Sequence, residues 1–236
     1  MAAFTLDPAD LAALLCSRVC HDIISPVGAI INGLEVLEEE KDADMRGFAL
    51  DLIKKSAEQA SARLRFCRLA FGAAGSAGAG IGTSDAEAAA RPIFDGDRTV
   101  LKWNTPAPLM PKNQVKLILN LCLIAASAAA RGGVIEVSVS GHEEARRIKV
   151  SASGKTPKLP SGVRQCLIGT AEEAPSAPLH VQAYYAGLIA KAASMSVSVE
   201  EENDTIAFEA MPLEENSSAQ QGAAGQALFS ASLEQR

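Results

Sequence analysis

Three histidines occur in the 236-residue chain, and one of them has neighbours that suggest chemistry. His21 is followed by Asp22, Ser25 and Pro26 inside a segment that otherwise reads as an apolar helix. Imidazole has an unperturbed pKa of about 6.5, so much of it is neutral and nucleophilic near pH 7. Attack on an aspartyl phosphate or on the γ-phosphate of ATP gives a phosphohistidine, reversibly, and phosphoryl transfer needs mainly positioning and charge neutralisation. Asp22 can accept a hydrogen bond from the ring or from an attacking water. Pro26 offers no N–H to the carbonyl of Asp22, four residues back. A proline in a plain helix interior costs about 3 kcal/mol, so it is expected to bend the helix within one turn of His21.

The element carrying these residues is well marked. Asp7 suits an N-cap, Pro8 the first helical position, and Asp10 adds negative charge to the first turn. Leu11, Leu15, Val19, Ile23, Val27, Ile30, Leu34 and Leu37 then recur at three- and four-residue steps. On a wheel, His21 lies about 180° from the mean of that stripe, so it is expected to face solvent among the small residues Ser17, Ser25 and Gly28. A second helix follows a turn at 42–44, with Met45, Phe48, Leu52, Ile53, Ala60, Leu64, Cys67 and Phe71 as its stripe and Gly72 as its stop. Two long helices joined by a short turn lie antiparallel. Alone, such a hairpin cannot bury its apolar seam. A twofold dimer forming a four-helix bundle is the favoured solution, and packing of the seam onto the rest of the chain is the alternative.

Composition excludes other classes. Hydrophobic residues make up 48% and charged residues 21%, as in ordinary globular proteins. Aromatics at 4% leave little for a base-stacking platform, and a net charge of −6 repels phosphate backbones, so no nucleic-acid partner is expected. Five cysteines without a CxxC pair read as reduced thiols of a cytoplasmic protein. No run reaches the roughly 18 apolar residues of a membrane span, and the N-terminus lacks the basic region of a signal peptide.

Domains are placed at 1–72 for the hairpin, 73–84 for a Gly/Ala-rich linker, 85–212 for a second domain, and 213–236 for a polar, disordered tail. Within the second domain the pattern predicts helices at 85–94, 111–131, near 161 and at 179–193. Extended segments are predicted at 98–103, 134–140, 146–152, 196–201 and 205–210. Hairpin-joined strands mixed with helices read as an α/β sandwich with helices over one sheet face.

Cys20-His21-Asp22-Ile23-Ile24-Ser25-Pro26 resembles the H-box of histidine kinases, His-Glu/Asp-x-x-Thr/Asn-Pro. Ser25 stands where that family usually has Thr or Asn, the position that helps orient a hydrolytic water in kinases that are also phosphatases. Asn120-Leu-Cys-Leu-Ile-Ala125 resembles the N-box, but the usual metal-binding asparagine is Ile124, which has no oxygen for a hard cation. Ala152-Ser153-Gly154-Lys155-Thr156 aligns with Asp-x-Gly-x-Gly, with Ala152 in place of the adenine-reading Asp. Leu179-His180-Val181-Gln182 stands where a glycine-rich lid is expected.

An H-box hairpin joined to a degenerate kinase-like domain resembles the ChpT-type histidine phosphotransferases of bacterial cell-cycle phosphorelays, over about residues 8–212. The implied fold is α+β: an antiparallel helical hairpin, forming a four-helix bundle in a dimer, and a degenerate histidine-kinase-like (Bergerat-type) α/β sandwich. The resemblance implies a homodimer that uses no ATP and binds no cofactor itself, Mg²⁺ being held by the partner receiver domain. The phosphoryl group would pass through His21 from the receiver of a CckA-like hybrid kinase to CtrA-like and CpdR-like response regulators. Asp22 would orient or exchange a proton, beside Ser25 and the bend at Pro26. Ser17, Arg18, Asp22, Ser25, Asn32 and Glu35 are the expected outward contacts for a receiver. Arg63, Arg65 and Arg68 on the second helix are read equally as docking residues or solvated charges.

Other motifs weigh less. Gly154-Lys155-Thr156 imitates the end of a P-loop, but Lys149 occupies the first glycine position and Pro157 disfavours the required helix. Cys16, Cys20 and His21 lack a fourth ligand, and the two cysteines are read as small core residues. His142 is read as a loop residue and His180 is assigned no chemistry. The competing functions are an active histidine kinase, which needs ATP, and a non-catalytic scaffold or kinase inhibitor, which would tolerate loss of His21.

Overall fold

The computed structural model describes residues 4–72, 80–175 and 177–213. The linker residues 73–79 and the tail from 214 onward lie outside the described residues. Helix α1 spans Pro8–Glu39 and α2 spans Ala43–Ala70. The Asp7 carboxylate accepts from the Ala9 N–H at 2.8 Å, and Asp42 accepts from Asp44 and Met45, both at 3.0 Å, so each helix starts on an aspartate cap. Between them the Glu40 carboxylate accepts the N–H groups of Lys41 and Asp42, while Arg46 donates to the carbonyls of Leu37 and Glu40. The Arg46 bonds supply donors to carbonyls at the end of α1 that lack a partner within the helix. Gly33 makes the antiparallel crossing possible. A Cβ there would lie 2.6 Å from Ile53 Cγ1 and 3.2 Å from the Ala49 carbonyl.

The second domain begins earlier than its composition suggests. Residues 81–84, read as linker, are structured: β1 (Ile81–Gly82) pairs antiparallel with β3 (Leu109–Met110), and α3 runs from Thr83 to Phe94. Two-residue strands carry no periodicity, so neither was legible. The main sheet contains β2 (Thr99–Asn104), β4 (Gly133–Ser140), β5 (Arg147–Gly154), β6 (Met195–Glu202) and β7 (Thr205–Pro212), in the order β2-β4-β5-β7-β6. Only the β2–β4 pair is parallel. Strands alternate buried and exposed residues, so one face is covered, by α4 (Lys112–Ala128), α5 (Val163–Ile168) and α6 (Pro178–Ala192). Every predicted element is found, with ends shifted by one to three residues, and the α+β class holds.

The packing of the seam onto the rest of the chain is seen in one half of the hairpin, and the other half is left uncovered. Near its termini the hairpin joins the second domain: Phe66 and Ala70 belong to the common core, and Phe66 meets Phe94 edge-on at 5.4 Å. Phe4 and Leu6 donate N–H groups to the Ala171 carbonyl and the Tyr184 hydroxyl. Near the α1–α2 turn, Ile24, Val27, Ile31 and Leu34 of α1 and Met45, Phe48 and Leu52 of α2 remain exposed. Helix α1 is long and apolar enough to cross a membrane by length and composition. Its centre, however, carries the Arg18 and Asp22 charges, which are costly in hydrocarbon.

Candidate phosphoacceptor site

His21 stands on α1 with 90% of its side chain exposed. The wheel placement agrees, since the packed side of α1 is defined by Pro26 and Gly33, both buried. His21 Nδ1 lies 3.6 Å from Asp22 Oδ1, so the carboxylate is the acidic group beside that nitrogen. Ser17 and Ser25, one turn to either side, are exposed.

Arg18 and Asp22 differ from the sequence expectation. Both were placed outward, but their side chains are 18% and 31% exposed. The cause is tertiary: the start of α6 packs against this side of α1. Arg18 Nη1 reaches the Pro178 carbonyl at 3.5 Å, and its Nε lies 4.0 Å from Asp22 Oδ2. A groove of about 410 Å³ results, walled on one side by Leu14, Ser17, Arg18, His21 and Asp22 and on the other by Pro175, Ala177, Pro178 and Val181. The second wall lies some 150 residues away in sequence, and no local motif announced it.

Arg63, Arg65 and Arg68 have separate positions. Arg63 turns inward, and its Nη1 donates to the main-chain carbonyl of Asp22 at 2.7 Å. Arg65 donates to Ser61 Oγ at 3.1 Å and Arg68 is exposed. Asn32 and Glu35 are exposed further along α1. Behind Arg63, a cleft of about 380 Å³ contains Gln59, Cys67 and Phe94. Burial, with a smaller contribution from the Asp22 charge, pushes the Cys67 thiol up to about 11, so it stays protonated and unreactive. Cys16 and Cys20, read as core residues, are exposed. They lie on the stripe that continues to Ile24 and Val27, which α2 does not cover.

Several residues of the segments that resemble kinase boxes lie in the core. Ile124 and Ala152 are completely buried. Asn120 is also fully buried, and its Nδ2 donates to the Ala70 carbonyl at 3.0 Å and the Lys116 carbonyl at 2.7 Å, while Gln182 donates to its Oδ1. Asn120 thereby ties the end of α2 to α4 and α6. Lys155 and Thr156 form an exposed turn after β5. Among the described residues, no cluster of three or more His, Cys, Asp or Glu could hold a metal ion.

Comparison with known proteins agrees with these features. Residues 83–205 match the family model described as the histidine phosphotransferase C-terminal domain. Protein phosphotransferase ChpT of Brucella abortus (strain 2308) is 46% identical over 207 residues, 87% of this chain and 97% of that protein. A solved structure of a bacterial phosphotransferase is 43% identical and superposes with a TM-score of 0.78, covering 89% of this chain and all of the other. A closed α/β domain, a hairpin that presents His21, and these relationships lead to one assignment: the chain belongs to the ChpT-type histidine phosphotransferase family.

Proposed function

We propose that His21 carries the phosphoryl group in a two-component phosphorelay. The observation that carries this reading is the exposed imidazole of His21, with Asp22 beside Nδ1 and a groove alongside. With the proton on Nδ1, the Nε2 lone pair attacks the phosphorus of a receiver aspartyl phosphate. An N–P bond forms, the acyl O–P bond breaks, and the aspartate leaves as a carboxylate. The reverse sequence on a second receiver discharges the histidine. Mg²⁺ belongs to the receiver, where it neutralises the phosphoryl oxygens. The donor is the receiver of a CckA-like hybrid kinase and the acceptors are CtrA-like and CpdR-like regulators, meeting the chain in the cytoplasm.

Ser17, Ser25, Asn32 and Glu35 supply exposed polar positions on α1 for receiver docking, and Arg65 and Arg68 add charge on α2. ATP has no part in this cycle: Ile124 and Ala152 are apolar and buried where kinases use Asn and Asp. The exposed stripes around Ile24, Ile31 and Phe48 support a homodimer through the hairpins, because a second copy would cover both.

The test is transfer of radiolabel from a phosphorylated receiver, without nucleotide, to the wild type and to His21→Ala. Acid-labile, base-stable label on the wild type alone is the expected result. Equal labelling of the variant would place the carrier at another residue, and no label on either protein from several receivers would favour the scaffold reading instead.

A further inference from the structure

Pro26 removes the N–H that the Asp22 carbonyl would accept within α1. In the structure that carbonyl is instead satisfied from another helix, because Arg63 Nη1 of α2 donates to it at 2.7 Å. The same residue is approached from the other end, where its carboxylate lies 4.0 Å from Arg18 Nε and 3.6 Å from His21 Nδ1. Asp22 is thus held at its main chain from α2 and at its side chain from its own helix. A guanidinium donor makes a charge-assisted bond, stronger than the main-chain bond it replaces.

We infer that Arg63 is a positioning residue for phosphoryl transfer: it replaces the main-chain donor that Pro26 lacks and fixes the turn that presents His21 and Asp22. The inference rests on His21 being the phosphoryl carrier. It gives Pro26 and Arg63 one shared role, with the proline opening a carbonyl and the arginine locking it to the neighbouring helix. It also assigns Arg63 to the hairpin interior instead of the receiver-docking surface. The guanidinium is half-buried beside Gln59 and Cys67.

The experiment is a double-substitution cycle in the full chain, using Arg63→Met, Arg63→Lys, Pro26→Ala and the Pro26→Ala/Arg63→Met pair. Transfer from a radiolabelled phosphorylated receiver is followed over a range of receiver concentrations. Arg63→Met is expected to lower the maximal rate about tenfold or more, since small misplacements of reacting groups cost that much. The half-saturating receiver concentration should stay unchanged, and Arg63→Lys should recover part of the rate. With Pro26→Ala an N–H is restored to the Asp22 carbonyl, so Arg63→Met should then cost far less. The ¹³C′ resonance of Asp22 supplies an arm independent of activity, moving in Arg63→Met and returning in the pair. An equal loss in both backgrounds, or a loss confined to half-saturation, overturns the inference and makes Arg63 a contact for the receiver. A general drop in melting temperature that lysine does not rescue also overturns it. If the wild type takes no label, or His21→Ala keeps it, the carrier reading fails, and the resonance arm still decides whether Arg63 sets the geometry of Asp22.

Discussion

The two helices α1 and α4 show how differently the halves of this molecule spend their apolar residues. Eleven of the 17 residues of α4 are buried, including Leu117, Leu119, Leu121 and Ile124, and only one side, at Lys116, Leu123 and Ser127, partly reaches solvent. Helix α1 has 32 residues and buries only Pro26 and Gly33. The second domain has a closed core, and its stability resides in close packing. The hairpin is finished only where it meets that domain, and its other half presents apolar side chains that need a partner.

The largest effect that could break this contrast comes from the closed core. Phe208 is fully buried in β7, and Phe208→Ala is expected to destabilise the second domain by about 3–5 kcal/mol. Calorimetry checks it, and an unchanged melting temperature would mean the core is not closed. Next, Ile31→Asp combined with Phe48→Asp, at positions 51% and 69% exposed, should leave the protomer folded but reduce its sedimenting mass to that of one chain. Persistence of the dimer would remove the stripe as its interface. A smaller loss is expected at the seam between the two regions. Asn120→Ala leaves the Ala70 carbonyl and the Gln182 amide without their partner, costing about 1–3 kcal/mol. Hydrogen exchange should then rise at the end of α2 before it rises in α4, whereas uniform change would deny the seam a local role.

The smallest effect belongs to the hairpin turn. Bonds from the main chain of Asp42 and Lys41 hold the Glu40 carboxyl below its ordinary value of 4.5. A carboxyl depressed on folding contributes stability above its unfolded pKa and loses it as pH falls through the folded one. Glu40→Gln should therefore lower the melting temperature slightly at neutral pH, and the gap from wild type should close below about pH 4.5. A gap that persists in acid would assign the effect to packing of the turn.

Much of the fold was legible because its signals are local. Asp7, Pro8 and Asp42 mark helix starts, the apolar spacing of α1 and α2 fixes two long helices, and alternation in residues 134–140 and 205–210 marks strands. The exposure of His21 followed from the same periodicity. The stripe itself was read too simply. Val19, Ile23 and Ile30 are partly covered in the hairpin, while Cys16, Cys20, Ile24 and Ile31 face outward. One apolar wheel face can serve two neighbours, and periodicity does not divide it between them. The strands at Ile81–Gly82 and Leu109–Met110 were missed because two residues cannot express a period of two.

The sequence by itself determined the helical hairpin, the sandwich, the place of His21 on an uncovered helix face, and the apolar side chains at Ile124 and Ala152. Those are properties of residue type and short-range spacing. Only the tertiary structure decided that Arg18 turns toward Pro178, that Arg63 takes the carbonyl freed by Pro26, and that Asn120 joins α2 to α6. A proline announces an unsatisfied carbonyl, and a buried amide announces a need for partners. Which distant group answers depends on how the helices cross, and that is set by packing of the whole chain.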